Sequence, residues 1–270
     1  MYINGCFEGG GVKGLTYVGA LRFLEERGFK FFKVSGTSVG SIFAALISVG
    51  YDSKEIEDII DKIDFRLVAN KNRITDGIKN RGLYSIDALE ELLYYLFEKK
   101  GKTKFIDVKY GNDYLLRIIA TEMRTKQMVI IPDDLPKFGY SKDDFLISKA
   151  VAMSCSIPLV FNQYRLSDYV FVDGGVVNNF PIELVIEENR PTIGFRLNSG
   201  NNNVILRLRN KIFKINKSFG LENINIIYLD SMNIKASQFK KGFLKKRELY
   251  ILGYNETRRF FYGKEKEKIN

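Results

Sequence analysis

A serine held between two glycines is the first feature of this sequence that could carry chemistry. Ser38 lies between Gly36 and Gly40 in the run Gly-Thr-Ser-Val-Gly. This is the G-x-S-x-G pattern of a nucleophile elbow, in which a strand turns sharply into a helix and presents the serine at the apex. Residues 31–34 predict the strand before it, and residues 41–47 predict the helix after it. The five residues alone are equally compatible with an ordinary turn.

An aspartate far along the chain is the candidate partner of that serine. Asp173 follows the apolar segment 169–172 and precedes Gly174 and Gly175. A carboxylate at the carboxyl end of a buried strand lies at the active edge of an α/β sheet. The alternative is that Asp173 only forms the turn before the two glycines.

The absence of histidine decides which mechanisms are available. It excludes a Ser-His-Asp triad, a Cys-His pair and a zinc site built on histidine. If Ser38 is a nucleophile, a group other than imidazole must accept its proton, and the absence of histidine fits an arrangement in which Asp173 accepts it directly. A carboxylate with a pKa near 3.9 is a weak base, so we expect Asp173 to lie in a shielded cleft that raises its pKa.

A glycine-rich loop near the start of the chain could supply the third catalytic part. It follows a predicted strand at residues 2–7, precedes a predicted helix at 15–27, and contains Gly9, Gly10, Gly11, Lys13 and Gly14. Successive backbone amides at a strand-to-helix turn can bind a transient oxyanion. The loop also matches G-x-G-x-x-G, but Lys33 and Val34 occupy the region where a dinucleotide site needs an acidic residue. Nucleotide binding is therefore disfavoured.

The predicted elements place these three turns together. Strand and helix patterns alternate, and parallel pairing brings the carboxyl ends of neighbouring strands to one edge. A capping pattern at Ser141 predicts a helix that runs to about Ser154, and residues 239–262 predict a closing helical region. Residues 64–83 form a polar stretch that could be a lid or a plain connection. We therefore expect an α/β fold with a mostly parallel sheet flanked by helices, in a single domain over residues 1–270.

Composition indicates a globular protein of a reducing compartment. Hydrophobic residues make up 45% and charged residues 27% of the 270. Glycines and Glu8 stand where a signal peptide would be apolar, and Cys6 and Cys155 look like buried thiols. The uncharged run 34–51 is long enough to span a membrane, but it contains the elbow and predicts a buried strand, turn and helix instead. These features predict a cytoplasmic protein.

The positive charge is concentrated at the end of the chain. Residues 201–270 hold 16 of the 42 basic and 6 of the 32 acidic residues, which accounts for the whole net charge of +10. Such a basic region favours an anionic partner, and we expect it to bring the protein to anionic membranes. A non-enzymatic protein that binds membranes or nucleic acid through this region, and a merely solvated surface, remain alternatives. The pattern lacks the interleaved aromatic and basic residues of a nucleic-acid platform, so nucleic acid is not expected.

Taken in order, the glycine loop, the elbow and the Asp-Gly-Gly segment resemble the signature of the patatin-like phospholipases. The Ser-Cys-Ser-Ile-Pro run at residues 154–158 and the Asn-Phe-Pro run at 179–181 are also similar to segments of that family. The resemblance covers about residues 3–195. It implies a patatin-type three-layer α/β fold and hydrolysis of lipid acyl esters by a serine–aspartate dyad.

Carried over residue by residue, the resemblance implies that Ser38 is the nucleophile and Asp173 the base. It assigns the Gly10 and Gly11 amides to the oxyanion hole, with Gly9, Lys13 and Gly14 in the same loop. Gly36, Gly40, Gly174 and Gly175 would shape the elbow and the dyad. No metal or other cofactor is implied, and the substrate would be a phospholipid or another acyl-ester lipid. A nonspecific esterase or an acyltransferase could use the same dyad.

Overall fold

The computed structural model describes residues 1–62, 85–158, 160–198 and 223–267. The polar stretch 64–83, which the sequence left open as a lid or a connection, lies outside these residues, as do residues 201–222, the first part of the basic region 201–270.

A mostly parallel sheet forms the centre of the described fold. In chain order the strands are β1 Tyr2–Phe7, β2 Lys30–Thr37, β3 Lys109–Tyr110, β4 Asp113–Tyr114, β5 Leu116–Glu122, β6 Gln127–Ile131, β7 Tyr164–Leu166, β8 Tyr169–Asp173, β9 Thr192–Asn198 and β10 Ile224–Asp230. In the sheet they run in the order β10-β9-β1-β2-β5-β8-β7, with β6 paired to β5. The five strands from β10 to β5 pair in parallel, whereas β6, β7 and β8 form antiparallel pairs. A separate hairpin joins β3 and β4.

Helices flank this sheet and cover its apolar residues. They are α1 Thr16–Glu26, α2 Val39–Val49, α3 Ser53–Lys62, α4 Ile86–Lys99, α5 Ile147–Cys155, α6 Phe239–Leu244 and α7 Lys246–Glu267. Helix α2 is apolar because it packs on β2 and β5 and against α5. The predicted α/β fold with a mostly parallel sheet is confirmed.

The closing helix packs closely on the first one. A Cβ atom on Gly19 of α1 would lie 2.6 Å from the backbone nitrogen of Tyr254, and one on Gly253 of α7 would collide with the Thr16 carbonyl. Glycines at these points let the two backbones approach, and α7 also contacts β10. This packing agrees with one domain over residues 1–270, which stays a prediction.

One predicted helix boundary is wrong. Helix α5 begins at Ile147, not at Ser141. The Ser141 hydroxyl does accept the amide of Asp144, at 3.2 Å, but this bond closes an isolated turn. The chain beyond it is extended, because Phe105 donates to the Phe145 carbonyl and Ile147 to the Thr103 carbonyl. Pairing with residues 103–105 therefore competes with the local helix signal and wins.

The uncharged run 34–51 forms the end of β2, a turn and α2, as the sequence predicts. In the part of the chain that the structure covers, no helix is both long and apolar enough to cross a bilayer.

Candidate active site

Ser38 is held at the turn between β2 and α2 in an unusual backbone conformation. Its φ is +54° and its ψ is −128°. A positive φ at a non-glycine residue is strained, and it persists only where the surroundings fix it. Here both the amide and the hydroxyl of Ser41 donate to the Ser38 carbonyl, at 2.8 and 2.6 Å. The local fold is that of a nucleophile elbow.

The two glycines of the elbow allow the backbones around it to meet. A Cβ atom on Gly36 would lie 2.7 Å from the amide nitrogen of Ser41. One on Gly40 would lie 2.7 Å from the carbonyl carbon of Phe7, at the end of β1. Any side chain at either position would push the elbow away from the strands that support it.

Asp173 lies at the carboxyl end of β8 and is only 7% exposed. Its amide donates to the Ser156 carbonyl at 3.0 Å, and its carbonyl accepts the Thr121 hydroxyl at 3.1 Å. The side chain accepts the Gly175 amide at 2.6 Å through Oδ1. The carboxylate is therefore fixed by its own backbone and by the turn that follows it.

Burial raises the pKa of the Asp173 carboxyl above its ordinary value, against the opposing effects of the Ser38 hydroxyl and the Gly175 amide. Oδ2 of Asp173 is buried, yet it has no hydrogen bond of good geometry to any described residue. Ser38 is thus close enough to affect the carboxylate but does not form a tight bond with it. Catalytic contacts of this kind often tighten only in the substrate complex.

The glycine loop leads from β1 into a 3₁₀ turn at Gly11–Leu15. Gly11 has a φ of +55°, which favours glycine, and the Gly9 amide donates to the Asn179 carbonyl at 3.0 Å. The Val12 amide donates to the Ala236 carbonyl at 3.1 Å. Within the described ranges, the Gly10 and Gly11 amides have no acceptor, which leaves these two as candidate oxyanion donors.

The loop and the elbow lie against each other. A Cβ atom on Gly9 would lie 3.2 Å from Cβ of Ser38, and one on Gly14 would lie 2.6 Å from Cγ2 of Val39. Parallel pairing of β1 with β2 produces this approach, because both turns leave the same ends of neighbouring strands. The structure therefore brings together the three segments that the sequence singled out.

The remaining predicted residues surround this centre. A Cβ atom on Gly174 would lie 2.9 Å from Cγ2 of Ile119, and one on Gly175 would lie 2.8 Å from Oδ1 of Asp173. Lys13 is half-buried beside the loop, where burial lowers the pKa of its amine and Glu8 opposes that effect. These positions support the shape and electrostatics of the site.

Two side chains that the sequence analysis gave no role hold the segments in place. The Ser154 hydroxyl, on α5, accepts the Ser38 amide at 2.8 Å. Asn179 donates from Nδ2 to the Gly9 carbonyl at 2.9 Å. Both belong to the Ser-Cys-Ser-Ile-Pro and Asn-Phe-Pro runs, so the resemblance marked the segments without indicating what their side chains do.

An apolar pocket of about 140 Å³ opens on Ser38. It passes between α2, α4 and α6, and its lining is almost entirely aliphatic and aromatic apart from Ser38 and backbone. The lining includes Val39, Ile42, Phe43, Leu46, Ile59, Ile60, Leu89, Leu92, Leu93, Leu96, Ile157, Phe161, Phe239 and Phe243. Such a pocket suits a hydrocarbon chain.

Cys155 also lines this pocket, and burial strongly raises the pKa of its thiol. A thiol held in the neutral form is a poor nucleophile. Among the residues described, no three His, Cys, Asp or Glu side chains cluster in a way that could hold a metal ion.

Two different environments surround the basic cluster formed by Lys240, Lys241, Lys246 and Arg247. Lys246 pairs with Asp61 at 2.6 Å, and Arg247 pairs with Asp61 at 2.9 Å and with Glu57 at 3.3 Å. Lys240 and Lys241 are exposed on α6 and form no ion pair with a described residue. The cluster is therefore partly engaged in contacts with α3.

Known proteins resemble this chain in both sequence and fold. The model of the patatin-like phospholipase family matches residues 5–186, more than half of the chain. An uncharacterized protein of Bacillus subtilis, YqhO, is 41% identical over 211 residues, which are 73% of this chain and 72% of YqhO. A cUMP-AMP-activated phospholipase of Escherichia coli is 28% identical over 68% of this chain, and the match spans 57% of that enzyme.

A solved structure has the same fold. VipD of Legionella pneumophila superimposes with a TM-score of 0.64 at 14% identity, over 97% of this chain and 67% of the VipD chain. With the family match and the relatives, this chain belongs to the patatin-like phospholipase family, and hydrolysis of lipids is its general activity.

Proposed function

We propose that this protein hydrolyses acyl esters of membrane lipids, as a phospholipase A or lysophospholipase, through a Ser38–Asp173 dyad. The observation that carries the proposal is the position of Ser38. It lies at a strained elbow, between a buried carboxylate whose Oδ2 has no hydrogen bond to a described residue and an apolar pocket that opens on the serine itself. A hydrocarbon-lined pocket that ends on a nucleophile favours a substrate with an acyl chain.

In the first half of the reaction, Ser38 Oγ attacks the ester carbonyl carbon while its proton passes to the Asp173 carboxylate. The carbonyl oxygen becomes an oxyanion, to which the Gly10 and Gly11 amides donate. When the tetrahedral intermediate collapses, the ester bond breaks, and the leaving alkoxide takes the proton from Asp173. An acyl group remains on Ser38.

In the second half, Asp173 takes a proton from water as the water oxygen attacks the acyl carbon. The same amides stabilise the second oxyanion. Collapse of this intermediate breaks the bond to Ser38 Oγ, which recovers a proton from Asp173. A fatty acid leaves and the free enzyme returns, so that atoms and charges balance without a metal ion.

Attachment to an anionic membrane surface is the second part of the proposal. On α6, Lys240, Lys241 and Leu244 face outward, and the Leu244 side chain is 77% exposed. Phe239 and Phe243 line the apolar pocket and so are not free to insert into a bilayer. Membrane contact through α6 thus rests on exposed lysines and one leucine, a narrower surface than the whole basic region.

Replacing Ser38 with alanine tests the nucleophile. S38A should abolish hydrolysis of phospholipids and of a soluble chromogenic ester, together with labelling by a fluorophosphonate probe, while thermal unfolding stays close to wild type. Ser48 on the same helix is the control, because its hydroxyl only donates to the Ala45 carbonyl at 2.8 Å. S48A should label and turn over normally. Labelling of S38A would place the nucleophile elsewhere.

Replacing Asp173 with asparagine separates catalysis from stability. The amide cannot accept the serine proton, so kcat should fall by roughly 10²–10⁴. In the wild type the rate should rise with pH as Asp173 loses its proton, with a midpoint above the ordinary carboxyl pKa. D173N should lack this limb.

The free energy of unfolding should respond to pH in the opposite sense to the reaction rate. The pKa of Asp173 is raised in the folded protein, so ionisation of this carboxyl opposes folding. The free energy of unfolding should therefore be highest when Asp173 is neutral and should fall as pH rises through the folded-state pKa. D173N should therefore be at least as stable as the wild type near pH 7, and the difference should vanish in acid. A well-folded D173N enzyme with a normal rate would reduce Asp173 to a turn residue.

Ser154 offers a test of how the elbow is held. S154A leaves the buried Ser38 amide without its acceptor, which should lower kcat by roughly fivefold to thirtyfold with little change in KM. The matched control is S156A on the same segment, since the Ser156 hydroxyl bonds only to the Ala152 carbonyl, at 2.8 Å. Both variants lose a buried hydroxyl. If S154A and S156A slow fluorophosphonate labelling equally, the effect of S154A comes from general packing and not from the lost bond to the Ser38 amide.

Charge-matched variants test membrane attachment. K240Q/K241Q should weaken binding to phosphatidylglycerol vesicles by about tenfold or more at low salt, at about 1 kcal/mol per cation, and added salt should reduce wild-type binding as well. K246Q/R247Q removes the same formal charge from residues that pair with α3. It should bind vesicles more nearly like the wild type in a sedimentation assay. Equal weakening by both pairs would show that net charge, rather than α6, drives attachment.

A further inference from the structure

The short helix α6 lies against the active site although it is far outside the segment that matches the family. That match ends at residue 186, whereas α6 spans Phe239–Leu244. The residues just before α6 reach the glycine loop, where the Ala236 carbonyl accepts the Val12 amide at 3.1 Å. The C-terminal part of the chain thus contacts the loop whose amides are the candidate oxyanion donors.

The helix itself is anchored by close packing on the same loop. A Cβ atom on Gly242 would lie 2.8 Å from Cγ1 of Val12, and a Cβ atom on Gly11 would collide with the Ala236 carbonyl. Such contacts leave little freedom to shift the helix relative to the loop. Any side chain that α6 directs inward therefore has a defined position relative to Ser38.

Two aromatic side chains of α6 point inward. Phe239 and Phe243 are one helical turn apart, lie on the same face, and both line the pocket that opens on Ser38. The next residue, Leu244, is 77% exposed on the opposite side. Helix α6 thus forms one wall of the pocket, while α2 and α4 supply other parts of its lining.

The pocket is long enough to hold a substantial part of an acyl chain. It follows α2 from Ser38 to Leu46, eight residues further on, which is about 12 Å at 1.5 Å per residue. An extended hydrocarbon chain advances roughly 1.3 Å per carbon, as a zigzag of 1.5 Å bonds. The lining therefore runs alongside several carbons of an acyl group attached to Ser38.

We propose that α6 is the wall of the acyl site that sets chain-length selectivity, with Phe239 and Phe243 as the specificity-determining residues. This inference rests on the proposed function. Each methylene that enters the pocket leaves water, and this transfer should raise kcat/KM for the longer ester by about fourfold per methylene. The gain should level off once the chain extends past Leu46, at the far end of the lining along α2.

The test compares kcat/KM for soluble p-nitrophenyl esters of four, eight and ten carbons in the full-length protein. F243A should lower the ratio of kcat/KM for the ten-carbon ester to that for the four-carbon ester at least fivefold. L244A is the control: it shortens the neighbouring side chain on the exposed face and should keep the wild-type ratio. F243L retains an apolar wall and should give an intermediate ratio, and it continues the test if F243A does not fold.

These outcomes separate the proposed function from the role of α6. The proposed function would be overturned if the wild-type enzyme does not hydrolyse these esters, or if S38A hydrolyses them at the normal rate. An active wild type whose selectivity is unchanged in F239A, F243A and F243L would overturn only the role of α6. A change of equal size in L244A would assign the effect to the stability of the helix instead of to the pocket wall.

Discussion

The backbone conformation of Ser38 is the constraint on which the rest of the site depends. A positive φ at a serine costs free energy, so neighbouring groups must hold it in place. They come from three directions. Ser41 bonds to the Ser38 carbonyl from α2, Ser154 accepts the Ser38 amide from α5, and Gly40 lets the elbow rest against the end of β1. Together these contacts fix where the serine hydroxyl points.

The sheet topology explains why distant segments converge on that serine. β1, β2 and β5 are parallel neighbours, so the glycine loop and the elbow leave the same edge of the sheet. β8 is antiparallel to β5, with Asp173 opposite Ala120. The aspartate therefore reaches the site from a strand of opposite direction. The Ser156 carbonyl, just after α5, accepts the Asp173 amide. Residues 154–156 therefore form hydrogen bonds with both members of the proposed dyad.

Sequence patterns predicted much of this arrangement because it depends on local chemistry. The elbow, the glycine loop and the Asp-Gly-Gly turn each need particular small residues, and these are visible in the sequence. The predicted start of α5 at Ser141 was wrong, because pairing with residues 103–105 outweighs the capping signal there and the helix begins at Ile147. The inward orientation of Phe239 and Phe243 could not be predicted either. It depends on the contact between Gly242 and Val12, which are far apart in the chain.

Detection of the covalent intermediate tests the central claim most directly. Wild-type enzyme mixed with an excess of a soluble acyl ester, quenched in acid within milliseconds and digested, should yield the peptide that contains Ser38 with the mass of one acyl group added. Acyl transfer through Ser38 requires this adduct to form and decay at rates that account for turnover. Rapid turnover without any acylated Ser38 peptide, or with the acyl group on another residue, would contradict the account.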